Sequence, residues 1–301
     1  MKAGNKVAVT RNFHYLSQFY LGGFTDTGRD DGALHVYDIV NDKQFVSHPG
    51  DAGCERDLYL LDTGDDPQAL EKMWTRFEEG GAEAIRYLNT TNTLPDANSE
   101  MFANLMVFIA LTSVRVPAAI KAANDPWEQV FKLVLQTAFN SPESHAQVIE
   151  NLRQAGYDVN DVPHEKMHQH VHREDFKVTV RQGFKMQSII YMLQSLAPLL
   201  AEREWSILNV RNGGPLFVCS DRPLTVCPLA GGPPAFTPGF GMIGTLAVFP
   251  VTKSLALLGM FEGSRPTTVA TDDELTEINR MTRRFASRFI YSTTSSGANS
   301  G

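Results

Sequence analysis

The sequence predicts an α+β fold: a mainly helical bundle packed on a small, mainly antiparallel C-terminal sheet, with an N-terminal β-hairpin. Three observations predict it. From Asp66 to Arg203 apolar residues recur mostly at helical period, punctuated by Pro and Gly. From Trp205 to Met260 the pattern changes to short apolar or alternating runs with turn residues between them. Near the start, Leu34–Val40 and Gln44–Ser47 flank Asn41-Asp42-Lys43, a hairpin pattern with a three-residue turn.

Taken in order, residues 1–11 read as an arm or first strand. A short apolar-aromatic helix, Leu16–Leu21, stops at Gly22-Gly23. The hairpin follows, then a short strand, Leu58–Leu61. Asp66 as N-cap and Pro67 as first helical residue open the next helix. Leu70, Met73, Trp74, Phe77, Ile85 and Leu88 form its apolar face. Gly80-Gly81 inside it marks close packing or a kink, since each glycine costs a helix about 1 kcal/mol against Ala. Further helices are expected at 97–122, bent at Pro117, and at 126–139, 143–155 and 176–203. A polar, histidine-rich connection over 156–175 has room for one short helix. The predicted strands of the C-terminal third are Trp205–Val210, Leu216–Ser220, Leu224–Cys227, Thr245–Pro250 and Ser254–Met260. Leu229–Met242, rich in Gly and Pro, reads as an exposed loop. Thr271-Asp-Asp-Glu274 is a capping box that opens a last helix, with Leu275, Ile278 and Phe285 on its apolar face. Phe289–Tyr291 adds a final strand. Residues 1–293 read as one domain and 294–301 as a disordered tail.

Composition bounds the function. The chain has 301 residues, 43% hydrophobic and 20% charged, which is enough to bury a core. A net charge of −7 argues against broad nonspecific nucleic-acid binding. It is compatible with an enzyme that grips phosphates through a metal. Three cysteines, Cys54, Cys219 and Cys227, make a poor disulfide framework and suit a reducing compartment, so the expected location is cytoplasmic. Phe102–Val114 is too short to span a bilayer, and no membrane partner is expected. Neither a Walker loop nor a Rossmann fingerprint occurs, so no nucleotide cofactor is expected.

One segment is more specific than any of these patterns: His14-Tyr-Leu-Ser-Gln-Phe-Tyr-Leu-Gly-Gly-Phe24. Glu55-Arg-Asp-Leu-Tyr59, Leu70-Glu71 with Phe77-Glu78, Leu111-Thr-Ser-Val-Arg115 and Trp205 come after it in the chain. Val218-Cys-Ser-Asp-Arg-Pro-Leu224, Ile278-Asn279 and Arg288-Phe-Ile-Tyr-Ser292 complete the series. Together these resemble the bacterial "domain of unknown function 4238" family, over residues 13–292. The chain departs from that pattern with Ser17 in place of Pro, Gly22 in place of a common basic residue, and Arg222 in place of Asn. The resemblance implies a fold and a site position and no settled reaction.

The candidate site is His14, Glu71, Glu78, Arg115 and Asp221. Glu71 and Glu78 lie two helical turns apart, near the edge of the apolar face, where a carboxylate meets a rim or groove. Carboxylates with a histidine suit Mg²⁺ or Mn²⁺, with Zn²⁺ less suited, and such an ion activates water for phosphodiester attack. In this reading His14 is base or ligand, Glu71, Glu78 and Asp221 are ligands, and Arg115 clamps the anion. Tyr15, Gln18, Tyr20 and Asn279 are candidate substrate contacts. The expected activity is a metal-assisted hydrolase with nuclease-like chemistry, acting on a nucleic acid or a phosphorylated small molecule. The alternative is a non-catalytic ligand- or partner-binding module in which the same residues form an internal network. Glu71 and Glu78 then pair with Arg115 or Arg86, His14 caps a backbone carbonyl, and Asp221 is an Asx-turn residue before Pro223. A third reading is a zinc peptidase, because His164-Glu165-Lys-Met-His168 is formally H-E-x-x-H. Its polar surroundings favour a solvated histidine-rich connection instead. The cluster Phe13, Tyr15, Phe19, Tyr20 and Phe24 could stack a base, but at helical spacing it reads as core.

Overall fold

A computed structural model describes residues 12–59, 69–173, 176–229, 238–263, 266–295 and 297, with the side chains of 69–71 left aside. The chain divides into two compact units: Met1–Ala119 with Ile189–Gly301, and Ile120–Ser188. The fold class is α+β, as the sequence predicts.

In the first unit, β1 (Asn12–His14) pairs antiparallel with β4 (Cys54–Arg56). Between them come α1 (Gln18–Gly22) and the hairpin of β2 (Leu34–Asp38) and β3 (Lys43–Ser47). The expected strand Leu58–Leu61 does not form over its described part: Leu58 and Tyr59 are turn residues, and 60–61 lie outside the described residues with Asp66 and Pro67. Tyr59 turns inward, and its hydroxyl donates to the Arg115 carbonyl at 2.5 Å.

Two long helices follow, α2 (Ala69–Thr91) and α3 (Glu100–Val114). The Ser99 side chain caps α3 by accepting from the Phe102 amide at 3.1 Å. The glycine pair of α2 is explained by this packing. A β-carbon on Gly81 would meet Phe108 Cβ at 2.6 Å, and one on Gly80 would meet Asn104 Cβ at 3.1 Å. Gly81→Ala should therefore push the two helices apart and cost about 1–3 kcal/mol, read as a drop in denaturation midpoint. An unchanged midpoint would show that the pair closes elsewhere.

The next helices differ from expectation at their boundaries. α3 ends at Val114, and α4 (Pro117–Ala138) begins at Pro117 and runs through Pro126. Proline drives the residue before it out of helical conformation and suits the first turn of a new helix, so the break falls before Pro117. Pro126 removes one backbone bond inside a long helix. In the preceding turn the Asn124 side-chain Nδ2 donates to the Ile120 carbonyl at 2.6 Å. α5 (Pro142–Gln154) starts with a capping box between Ser141 and Ser144, α6 (His164–His172) occupies the histidine-rich connection, and α7 is Gln182–Ala201. The second unit holds α5, α6 and parts of α4 and α7. Among the described residues no single helix is long and apolar enough to cross a membrane. α3 and α4 together pass by length and composition, but they are bent by 64° and α3 is largely buried.

Among the described residues seven strands and a helix complete the first unit. β5 (Glu204–Asn209), β7 (Thr225–Pro228), β8 (Thr245–Thr252) and β9 (Leu255–Met260) join β10 (Thr268–Val269) in a five-stranded sheet of order β10-β5-β9-β8-β7. β10 runs parallel to its neighbour, and the other described pairs of this sheet are antiparallel. β6 (Cys219–Ser220) and β11 (Phe289–Ser292) instead extend the N-terminal hairpin into a four-stranded antiparallel sheet, β3-β2-β11-β6. The expected single C-terminal sheet is thus two sheets, and the turn at Asp221 switches the chain between them. α8 (Asp272–Phe285) carries the predicted box, with Thr271 and Glu274 exchanging bonds at 3.0 and 3.1 Å. Tyr20 of α1 fills the centre of this unit, stacked on Phe249 at 5.3 Å and edge-on to Phe24 and Phe108.

Candidate functional site

Arg115 is buried at the end of α3 and works inward. Its guanidinium donates through Nε to the Tyr15 carbonyl and through an Nη to Ser17 Oγ, both at 2.9 Å. It forms an ion pair with Glu78, whose Oε1 also accepts from Ser17 Oγ at 2.6 Å. This knot ties α1, α2 and α3 together. Ser17 adds a hydroxyl to it. Glu71 lies in the first turn of α2, and its side chain lies outside the described residues.

Asp221 sits in the turn between β6 and β7. Its two oxygens accept the backbone amides of Ser287 and Arg288, each at 2.8 Å, and its own amide donates to the Phe289 carbonyl at 3.0 Å. Burial pushes its pKa up, with those amides acting in the opposite direction. Arg288 reaches across to Asp38 at 2.9 Å, and this partner holds the Asp38 carboxyl down at about 2. The same Asp38 side chain caps the hairpin turn by accepting from Val40 and Asn41.

His14 is half-buried. Its Nε2–H donates to the Gly50 carbonyl at 3.0 Å, and the exposed Gln18 amide lies 3.4 Å from the same nitrogen. Tyr15 is buried with its hydroxyl 3.4 Å from that of Tyr291, and burial pushes both phenols up. Tyr15 links the candidate residues, because Arg115 holds its carbonyl while its phenol feels the Asp221 charge. A cavity of about 80 Å³ opens beside it, lined also by Asp51, Cys54, Phe289 and Tyr291. Tyr20 is wholly buried; its hydroxyl donates to the Pro250 carbonyl at 2.6 Å and accepts from the Cys219 thiol at 3.3 Å. Burial pushes that thiol up to about 12. All three cysteines are free. Among the described residues no group of three or more His, Cys, Asp or Glu side chains is placed to hold a metal ion.

The histidine-rich segment forms a chain of rings on α5 and α6. His145 to His164 and His164 to His168 are each 5.7 Å between centroids, and His168 to His172 is 4.0 Å. The His164 Nε2–H donates to the Phe139 carbonyl at 3.2 Å, while Glu165 is exposed. A zinc ion at this motif would have to displace that bond or use the other ring nitrogen.

Asn279 is structural on both sides of its amide. It accepts from the Val218 amide at 3.0 Å and donates to the Leu216 carbonyl at 2.9 Å. It also borders a cavity of about 850 Å³ between α8 and the Gly214–Val218 segment. Leu216, Phe217 and Leu275 give this cavity an apolar wall, and Arg280, Arg283 and Arg284 line it as well. Arg280 is held by Glu277 at 2.6 Å. Arg283 donates to the Gly297 carbonyl at 2.5 Å, and its Nε is buried with no partner. Among the described residues Arg283 forms no ion pair, whereas Arg284 lies close enough to Glu277 for its charge to help lower that carboxyl. Burial pushes the Arg283 pKa down, as expected for a cation without a counter-charge. The apolar face of α8, Leu275, Ile278 and Phe285, does not mark these three residues. The available signal was three arginines at i, i+3 and i+4 in an acidic chain.

No curated protein and no solved structure matches this chain. The model of a family described as "Protein of unknown function (DUF4238)" matches residues 12–296, so the segments that opened the comparison, from His14-Tyr15 to the Asp221 turn, belong to a chain that is a member of the DUF4238 family.

Proposed function

We propose that this protein is a non-catalytic binding module for a small amphiphilic anion, a carboxylate or phosphate on an apolar body. One observation carries the reading: the roughly 850 Å³ cavity is lined by the half-buried Arg283 guanidinium, which among the described residues has no carboxylate partner. Burying a cation unpaired is costly, and an incoming anion would remove that cost. The volume suits a small molecule, and an apolar wall with a few cationic groups is the usual composition of such sites. His14, Glu78, Arg115 and Asp221 serve as an internal network in this proposal, each engaged by a partner within the fold. The proposed setting is cytoplasmic, in keeping with three free thiols.

Calorimetric titration with octyl phosphate, inorganic phosphate and octanol tests the proposal. Octyl phosphate should bind more tightly than either fragment. Arg283→Ala and Arg284→Ala should each weaken it about 10–100-fold, the size of one lost charge-assisted bond. Absence of binding by all three probes, or affinity unchanged in both variants, would overturn it.

A further inference from the structure

Among the described residues of the second unit eight large apolar side chains stand in solvent, six of them on α4 and α7. On α4, Trp127, Val130, Phe131 and Val134 are 46–56% exposed and Leu133 is 63% exposed; Phe184 of α7 is 40% exposed. Trp127, Val130, Phe131 and Val134 recur at i, i+3, i+4 and i+7, so they form one stripe. The Trp127 and Phe184 rings meet edge-to-face at 5.8 Å, which carries the stripe onto α7. From Pro126 to Thr137 every exposed position of α4 is uncharged. The two charged residues in that stretch, Glu128 and Lys132, are partly buried. Single exposed apolar residues need no account, but a contiguous stripe does.

We propose that this stripe is the contact surface of a homodimer, covered by the same stripe of a second copy about a twofold axis near Val130 and Phe131. Area is one argument. A half-exposed aromatic ring leaves about 100 Å² in water, so the six side chains together offer about 500 Å² per copy. Two copies reach about 1,000 Å², the threshold for a specific interface. Charge is the other. An isologous contact sets an uncharged face on an uncharged face, so no charge is buried unpaired. An anionic bilayer is a poorer occupant, because a chain of net charge −7 is repelled by it.

Sedimentation velocity on the full chain tests this. The expected species is twice 33.3 kDa at concentrations up to about 100 µM, with dissociation at least about 100-fold easier in Phe131→Asp/Val134→Asp. Circular dichroism checks that the variant is folded. Should it fail to fold, Val130→Cys gives an independent reading: mild oxidation should produce a disulfide-linked dimer that the wild type, with its own three cysteines, does not form. A chain monomeric at about 100 µM, a dimer untouched by the folded double variant, an uncross-linked Val130→Cys, or a monomer that floats with neutral phosphatidylcholine vesicles would overturn the proposal.

Discussion

Arg115→Met should be among the most destabilising single substitutions in this chain, by about 3–5 kcal/mol. The methionine keeps the bulk but leaves the Glu78 carboxylate without its guanidinium and the Tyr15 carbonyl without a donor. Removing one member of a buried pair costs more than removing both, because the remaining charge stays desolvated. Glu78→Gln added to Arg115→Met should therefore return at least about 1 kcal/mol. For a unit of this size the single substitution should lower the melting temperature by roughly 6–15 °C. A drop under about 2 °C, or strictly additive effects in the double variant, would show that the knot of α1, α2 and α3 is held by something else.

The second large effect belongs to Asp221. Asp221→Ala removes the acceptors of two backbone amides, those of Ser287 and Arg288, and should cost about 2–4 kcal/mol. Asp221→Asn should cost less. Its one oxygen satisfies one amide, while its NH₂ faces the other. The two substitutions share a consequence for pH dependence. Burial raises the folded-state pKa of Asp221 above its unfolded value, so the native state binds this proton more tightly. The stability from that proton is full below the ordinary carboxylate pKa of about 3.9 and is lost as pH rises through the folded value. Both substitutions should flatten stability against pH above about 4. Urea titrations over that range measure it. A wild-type curve that rises there through Asp221, or variants with an unchanged slope, would contradict the account.

Both effects bear on how the family pattern is read. Glu78, Arg115, Asp221, Asn279 and Arg288 are polar residues that carry the resemblance, and each is engaged with partners inside the fold. Trp205 behaves alike: its indole donates to the Leu200 carbonyl at 2.8 Å, and its ring occupies the space that a side chain on Gly259 would need. A motif of reactive residue types is therefore also what a polar scaffold looks like. The types alone do not say whether a carboxylate faces a ligand or a backbone amide.

Local chemistry by itself determined much of this protein. Hairpin turn, the capping box at Thr271, helical periods and final strand follow from hydrogen bonds and steric rules acting over a few residues, so they are legible in order along the chain. Tertiary structure decided the rest. It chose which sheet each strand joins, sending β6 to the hairpin and β7 to the other sheet through the Asp221 turn. It carried α4 through Pro126, and it filled the space opposite Gly81 with the Phe108 ring. It set Arg283 beside a cavity and left Trp127 and Phe131 in solvent. These outcomes depend on what lies opposite a residue in space, and partners distant along the chain leave no mark in local spacing.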